Sequence, residues 1–465
     1  MMRPNGGNLK VAAALASAAI GGVLIGLFGP VSLALPAAAA LFLMVFNPVW
    51  GMYAMVFIAP LERIITVGGM GLVAPRLISL VLLSGTVIDY RRALTAVNAS
   101  IGVPWIWYSA FLALSLPGIA QSQNISHSLY YLRLHIWLLA IMFLVALAVR
   151  SADHLRKAFL AFVVGNVVLD MYILFVLEPH NLLAFKRVGY SVQNPTWVGF
   201  TAMVGLVLAV YLLTCWKQPA IRILLYFSIA ILGFTVLITQ SRSVWAALVL
   251  LFLWYLVRVV KFNLVKLAWI AASIAAVAAI LGFILDPTGV VNAFKRRLFI
   301  TQSIEELDVL YRIENVVAAK NIILDKPLTG VGLDMFRWEA YNYGRKLLPP
   351  MELPLNAHNT YLEIGADSGI PALVAYIGFL LSGISTTLAA ARRNRELSLA
   401  AAAINSAIVV LMVVATLHEV SVRPVVHVIL GLASATCKLG LAGTAAAGAS
   451  AAGDATLPAG DASAT

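Results

Sequence analysis

The chain has 465 residues, 62% of them hydrophobic and 11% charged, with a mean hydropathy of +0.93. A soluble globular domain carries about a quarter charged residues, so this composition excludes one and points to a polytopic membrane protein. The net charge of +12 is read as a bias in loop placement, because cytoplasmic loops of membrane proteins concentrate Lys and Arg; no nucleic-acid partner is implied.

Arg3 and Lys10 precede an apolar run from Val11 to Phe28. A cleaved signal peptide has an apolar core of only about 7–15 residues, so a retained signal-anchor helix is expected. Further spans are expected near 31–46, 49–61, 74–89, 102–118, 131–149, 157–177, 196–214, 222–238, 244–258, 267–285, 370–388, 397–417 and 425–440. The 49–61 run is too short to cross alone and 31–46 is marginal. A β-barrel would show ~10-residue alternating segments instead. The expected fold is an all-α bundle of about 12–14 transmembrane helices with one large, partly helical outer loop.

Charge sets the orientation. With the N-terminus inside, sixteen Lys and Arg fall in short cytoplasmic loops or near helix ends, against seven on the outer side. The remaining nine sit in the long loop, and long loops largely escape the positive-inside rule. Both termini are therefore expected in the cytoplasm. Cys215 and Cys437 fall on that side, leaving no thiols for a disulfide in the outer loop. The organisation reads as N-terminal spans over 1–285, an outer loop over 286–369, C-terminal spans over 370–441, and a disordered tail over 442–465. That tail is mostly Ala, Gly, Ser, Asp and Thr, with little to bury.

The polar island from Asp286 to Ala372 is where chemistry is expected. Val309, Leu310, Ile313, Val316, Val317, Ile323 and Leu324 recur at helical spacing, which predicts an amphipathic helix from Leu307 to Leu324. Its apolar face would lie on the membrane surface or on the bundle. Asp325-Lys-Pro327 ends it, and Gly330-Val-Gly332 is a turn. Arg312 lies in this helix, where a surface arginine on a solvated face is an equally good local reading. A second helix is predicted near Asn359 and through Glu363, with Gly369-Ile-Pro371 opening the next span. His358 stands at its mouth. A histidine there is commonly a cap, but this one lies where the loop re-enters the membrane, with Asn359 beside it and Glu363 and Asp367 following at helical spacing. A neutral imidazole is also the usual base for a hydroxyl.

Thr239-Gln-Ser-Arg242-Ser is a short polar turn between two apolar runs. A charge at membrane depth costs ~2.5–3.5 kcal/mol on insertion scales and needs a partner or a task, though arginine also snorkels to headgroups. With no acid nearby in sequence, Arg242 suits an anionic ligand. Lys186, Arg187 and Arg133 are weaker candidates of the same kind. No P-loop, Cys/His zinc cluster or outer-loop Asp-x-Asp pair appears, so no cofactor or metal is expected. A site facing outward would draw its energy from a lipid-linked substrate.

These residues resemble the O-antigen ligase and O-antigen polymerase superfamily of bacterial inner-membrane glycosyltransferases. The resemblance rests on His358-Asn359, nine residues before Gly369, at the end of the largest outer loop. Pro327-Leu-Thr-Gly330-Val-Gly332, Ser241-Arg242 and Asn194-Pro-Thr-Trp-Val-Gly199 add to it, over Tyr190 to Leu388. It implies His358 as catalytic base and Arg242 and Arg312 as essential periplasmic arginines. It also implies a polyprenyl-diphosphate-linked glycan donor used without metal or nucleotide. A lipid A-core acceptor would make the enzyme a ligase; a carrier-linked repeat unit would make it a polymerase, and a protein hydroxyl is a third variant. A transporter would instead line a midplane pathway with charge, and a structural scaffold would tolerate loss of His358.

Overall fold

The computed structural model describes residues 47–61, 102–183, 187–189, 194–259, 303–344 and 356–454. Its helices are α1 (Pro48–Ile58), α2 (Val103–Ala120), α3 (Ile125–Ala148), α4 (Ala152–Tyr172), α5 (Pro179–Leu183), α6 (Pro195–Cys215), α7 (Pro219–Ile238) and α8 (Arg242–Val259). The chain continues through α9 (Ser303–Asp325), α10 (Phe336–Tyr343), α11 (Thr360–Arg393), α12 (Ser398–Ala415) and α13 (Pro424–Asp454). The described residues form no strand. Eight of the helical segments are long and apolar enough to cross a membrane. The protein is an all-α polytopic membrane protein.

The spans expected at 11–28, 31–46, 74–89 and 267–285 lie outside the described residues, and each of the other ten coincides with a helix. The short run at 49–61 is α1 and a 3-10 turn. Helix starts follow local chemistry. Asn124, Ser151, Asn194 and Asn359 each turn a side-chain oxygen onto a backbone N–H of the first turn, satisfying donors that no intrahelical carbonyl can reach. Pro195 and Pro219 stand where a missing N–H costs nothing. Helix α13 runs on to Asp454, past Ala442 where composition suggests a disordered tail. Alanine has the highest helix propensity of any residue, and the run beyond Gly443 is rich in it.

The bundle core is built from α2, α3, α4, α6, α11, α12 and α13, with Tyr108, Phe111, Phe159, Phe162, Trp197, Phe200, Tyr376 and Phe379 wholly buried. A second, smaller core holds the outer segment together through Ala318, Ala319, Ile322, Val331, Met335, Phe336, Ala340, Ala357 and Ala366. On α9 the expected apolar residues divide: Ile313, Val316 and Leu324 are exposed, Val317 and Ile323 are half-buried, and Ile323 packs on the small core beside the buried Asn315, Ala318, Ala319 and Ile322.

The Pro327–Gly332 turn docks on a break in α11. Gly369 has φ +83° and Pro371 follows it, so the helix runs as two pieces. The groups this break leaves over are taken up by the turn: Val331 N donates to Ala366 O at 3.0 Å, Gly332 N to Asp367 O at 2.8 Å, and Ile370 N to Pro327 O at 2.7 Å. The contact is backbone on backbone. A Cβ on Gly330, itself at φ +65°, would come within 2.3 Å of the Asp367 carbonyl carbon, and one on Gly118 of α2 within 2.1 Å of Thr329 O. Gly330→Ala is expected to lose at least the ~1–2 kcal/mol of a left-handed non-glycine residue plus the cost of parting the two segments. A markedly lower melting temperature of the purified protein checks this.

Candidate functional site

The bundle ends that carry α2–α3, α6, α7–α8, α11 and α12–α13 turns lie on one side, beside the outer segment. Asn359 opens α11 by accepting Tyr361 N and Leu362 N, both at 3.0 Å. Its amide nitrogen donates to Thr416 O at 2.9 Å. Thr360 donates to His418 O at 2.7 Å and accepts Val420 N at 3.0 Å. The turn between α12 and α13 is thus tied to the residues that follow His358. His358 itself is half-buried with φ +52°, a region that few non-glycine residues adopt, histidine more often than most. Its ring lies 6.4 Å from that of His418, nearly parallel to it.

Acids and bases gather behind this pair. Glu363, Asp367, Asp334 and Glu419 are all buried. Asp367 accepts Asp334 N at 2.9 Å and Phe336 N at 2.6 Å, so it fixes the start of α10 and is spoken for. Asp334 is held between Arg337 Nη2 at 2.6 Å and His127 Nε2 of α3 at 2.9 Å. Burial pushes its carboxyl above the usual range, and those two partners pull it back only in part. Burial works against the Arg337 cation too, but Asp334, Tyr131 and Glu363 together outweigh it and raise the guanidinium. Arg423 faces Glu419 at 3.6 Å and lies over the Trp197 ring at 5.3 Å, joining this turn to the first turn of α6.

Arg242 is exposed at the first residue of α8. The turn before it is fixed by Ser241 Oγ to Thr196 Oγ1 at 2.9 Å, and Gln240 has φ +46°. Arg312 is exposed on α9. One turn later on that helix, Asn315 donates to Asn356 O at 2.9 Å, two residues before His358. Arg187 donates through Nε to Thr239 O at 3.1 Å, which commits it to the Ser241–Arg242 turn. Arg133 is exposed and lies over the Tyr130 ring at 5.0 Å. Lys186 lies outside the described residues. The structure therefore joins His358, Asn359 and Glu363 to one turn and Arg187 to the Arg242 turn, and leaves Arg133 on the outer face of α3.

Residues 227–377 match the family model described as O-antigen ligase. Over that stretch the chain is similar to the O-antigen ligase/polymerase superfamily. No curated protein matches it. The match supports a glycosyltransferase-type activity of the ligase/polymerase kind, with a lipid-linked glycan and an acceptor as its general partners. The matched stretch begins in α7, ends just beyond the break in α11, and contains Arg242, Arg312 and His358.

His418, Glu419 and Arg423 lie beyond the matched residues and were not among the sequence-derived candidates. A signal was present: Thr416–Arg423 is a polar break between two apolar runs, of the same kind as the one that drew attention to Arg242. The His127–Asp334–Arg337 cluster had none, because its members are up to 210 positions apart in sequence. Thr360→Val should remove both bonds that hold the 418–420 turn, about 1–3 kcal/mol for a buried polar group left unmatched. The check is the denaturation midpoint of the variant beside that of Thr360→Ser, which keeps the hydroxyl and should stay near wild type.

Proposed function

We propose that this enzyme transfers a glycan from a polyprenyl-diphosphate carrier to a hydroxyl acceptor at the periplasmic face of the bacterial inner membrane. The reading is inverting and metal-independent. It has His358 as general base and Arg242 and Arg312 as diphosphate-binding residues, with Asn359, Arg187, Lys186 and Arg133 as lesser contributors to substrate binding. The observation that carries it is the setting of His358: a half-buried imidazole held in a left-handed backbone conformation where the outer loop enters the bundle, within a match to O-antigen ligases.

The chemistry follows from these groups. The acceptor oxygen attacks the anomeric carbon from the face opposite the diphosphate, and its proton passes to a ring nitrogen of His358. The bond between the anomeric carbon and the phosphate oxygen breaks, and its electron pair leaves with the diphosphate. Negative charge grows on that leaving group, where planar guanidinium forks can meet it with paired hydrogen bonds. The one-step displacement inverts the anomeric centre. Asn359 caps α11 and anchors it to Thr416, so its part is to hold His358 at the helix mouth. The preferred acceptor is a lipid A-core sugar. A repeat-unit polymerase of the same superfamily is the nearest alternative, because both use the same donor and the same base.

The test supplies one purified carrier-linked glycan and offers a lipid A-core and a carrier-linked repeat unit as separate acceptors. Transfer to the core alone identifies a ligase; extension of the repeat unit alone identifies a polymerase. His358→Ala is expected to keep donor binding while transfer falls by roughly 10²–10⁴-fold. Arg242→Ala and Arg312→Ala should lower donor affinity as well as rate. Lysine at either position should restore only part, since an ammonium lacks the planar fork. Unimpaired transfer by a well-expressed His358→Ala protein would remove the proposed base.

Orientation is tested separately. A reporter fused after Gly344 is expected to read as periplasmic and one after Asn394 as cytoplasmic. The reverse pair would put the site on the wrong side for a carrier presented from the periplasm.

A further inference from the structure

Helices α4, α6 and α7 meet beneath the Ser241–Arg242 turn, and their contact buries polar atoms that nothing satisfies. Asp170 on α4 is wholly buried, and neither of its carboxyl oxygens has a hydrogen-bond partner among the described residues. Asn166 lies one turn earlier on the same face of α4 and is also wholly buried. Its amide nitrogen donates to Thr201 O on α6 at 3.0 Å, and its oxygen is left without a partner. Thr235, on α7, is 1% exposed and turns its hydroxyl toward the Asp170 carboxyl.

The bland reading is a carboxylic acid kept neutral in a tight packing contact. It accounts for the contact of Asp170 with Thr235 but leaves the Asn166 oxygen, one turn away on the same face of α4, without a partner among the described residues, in a setting where nearly every buried polar group is paired. An ionisable side chain inside a membrane bundle marks a functional position by default. The available donors are all oxygens: a carboxylate, an amide and a hydroxyl. Such hard donors select alkali and alkaline-earth cations over metals that prefer nitrogen or sulfur. With one negative charge in the set, a monovalent ion leaves the cluster neutral, whereas a divalent ion would leave a net charge buried.

We propose that Asp170, Asn166 and Thr235 form a binding site for a monovalent alkali cation between α4, α6 and α7. The ion ties the end of α7 to α4. Thr239, Ser241 and Arg242 follow directly from that end of α7, so the ion steadies the turn from which Arg242 emerges. It takes no part in bond making. Trp197 stands in the first turn of α6 and carries Arg423 over its ring, which places that cation in the layer above, engaged with Glu419.

The test is thermal melting of the purified full-length protein in lithium, sodium, potassium or choline chloride at constant ionic strength. A ligand that binds only the folded state raises stability with the logarithm of its concentration. The wild type is expected to melt higher in at least one alkali salt than in choline, and to keep rising with its concentration. Asp170→Asn keeps the shape, removes the charge, and should melt at one temperature in every salt. Should that variant fail to fold, Thr235→Val serves instead and should need a several-fold higher cation concentration for the same shift. Identical wild-type melting in all four salts would overturn the site and leave a neutral carboxyl. An undiminished salt response in Asp170→Asn, or in Thr235→Val where that variant stands in, would place the ion elsewhere and overturn it equally. Neither readout depends on glycosyl transfer.

Discussion

The outer segment is joined to the membrane helices by an exchange of backbone hydrogen bonds at the break in α11. In an unbroken helix, residue 371 would donate to Asp367 O and Ile370 to Ala366 O. Pro371 has no N–H to give, and Gly369 at φ +83° turns the chain so that Ile370 N reaches Pro327 O instead. The two carbonyls so freed accept Gly332 N and Val331 N. The two freed carbonyls and the Ile370 N–H are thus paired by one short turn, as buried backbone demands. Glycine at 330 lets the two chains come within reach, since a Cβ there would meet backbone rather than a movable side chain. The same seam sets the height of α9 and α10 over the bundle. Through Asn315 and Asn356 it also fixes the approach to His358.

Much of this was legible in the sequence because it is local. The spans announce themselves by length and hydropathy, and the break by Gly369 and Pro371. The start of α11 is announced by Asn359, whose side chain does what a helix-opening asparagine does. The face by which α9 meets the small outer core was not legible, because periodicity weights large apolar residues and alanine at 318 and 319, buried there beside Ile322, carries little hydropathic weight. Glu363 and Asp367 follow His358 on α11 at the expected spacing, and Asp367 holds the start of α10. A carboxylate accepting two backbone N–H groups is committed to the fold.

The turn between α12 and α13 enlarges the site beyond the matched family region. Thr360 and Asn359 reach it through three hydrogen bonds, and His418 brings a second imidazole alongside His358. Arg423 extends the chain of contacts to Trp197, and so to the Asn194–Thr196 start of α6, which also holds Ser241. His358 and the Arg242 turn are far apart in sequence, yet this path of side chains links them without a covalent tie. A change at Glu419 or Arg423 would therefore disturb both ends of the path at once.

Arg337, Arg423, Arg242 and Arg312 divide by burial. Arg337 and Arg423 are shielded, and each faces a buried acid, Asp334 or Glu419. Turning either toward a passing diphosphate would leave a carboxylate buried and uncompensated, a loss of about 3–5 kcal/mol for a broken buried pair. Arg242 and Arg312 are exposed, so solvent reaches both without the opening of a buried ion pair. The shielded pair instead keeps Asp334 and Glu419 compensated. Charge of both signs is thus held at one end of the bundle.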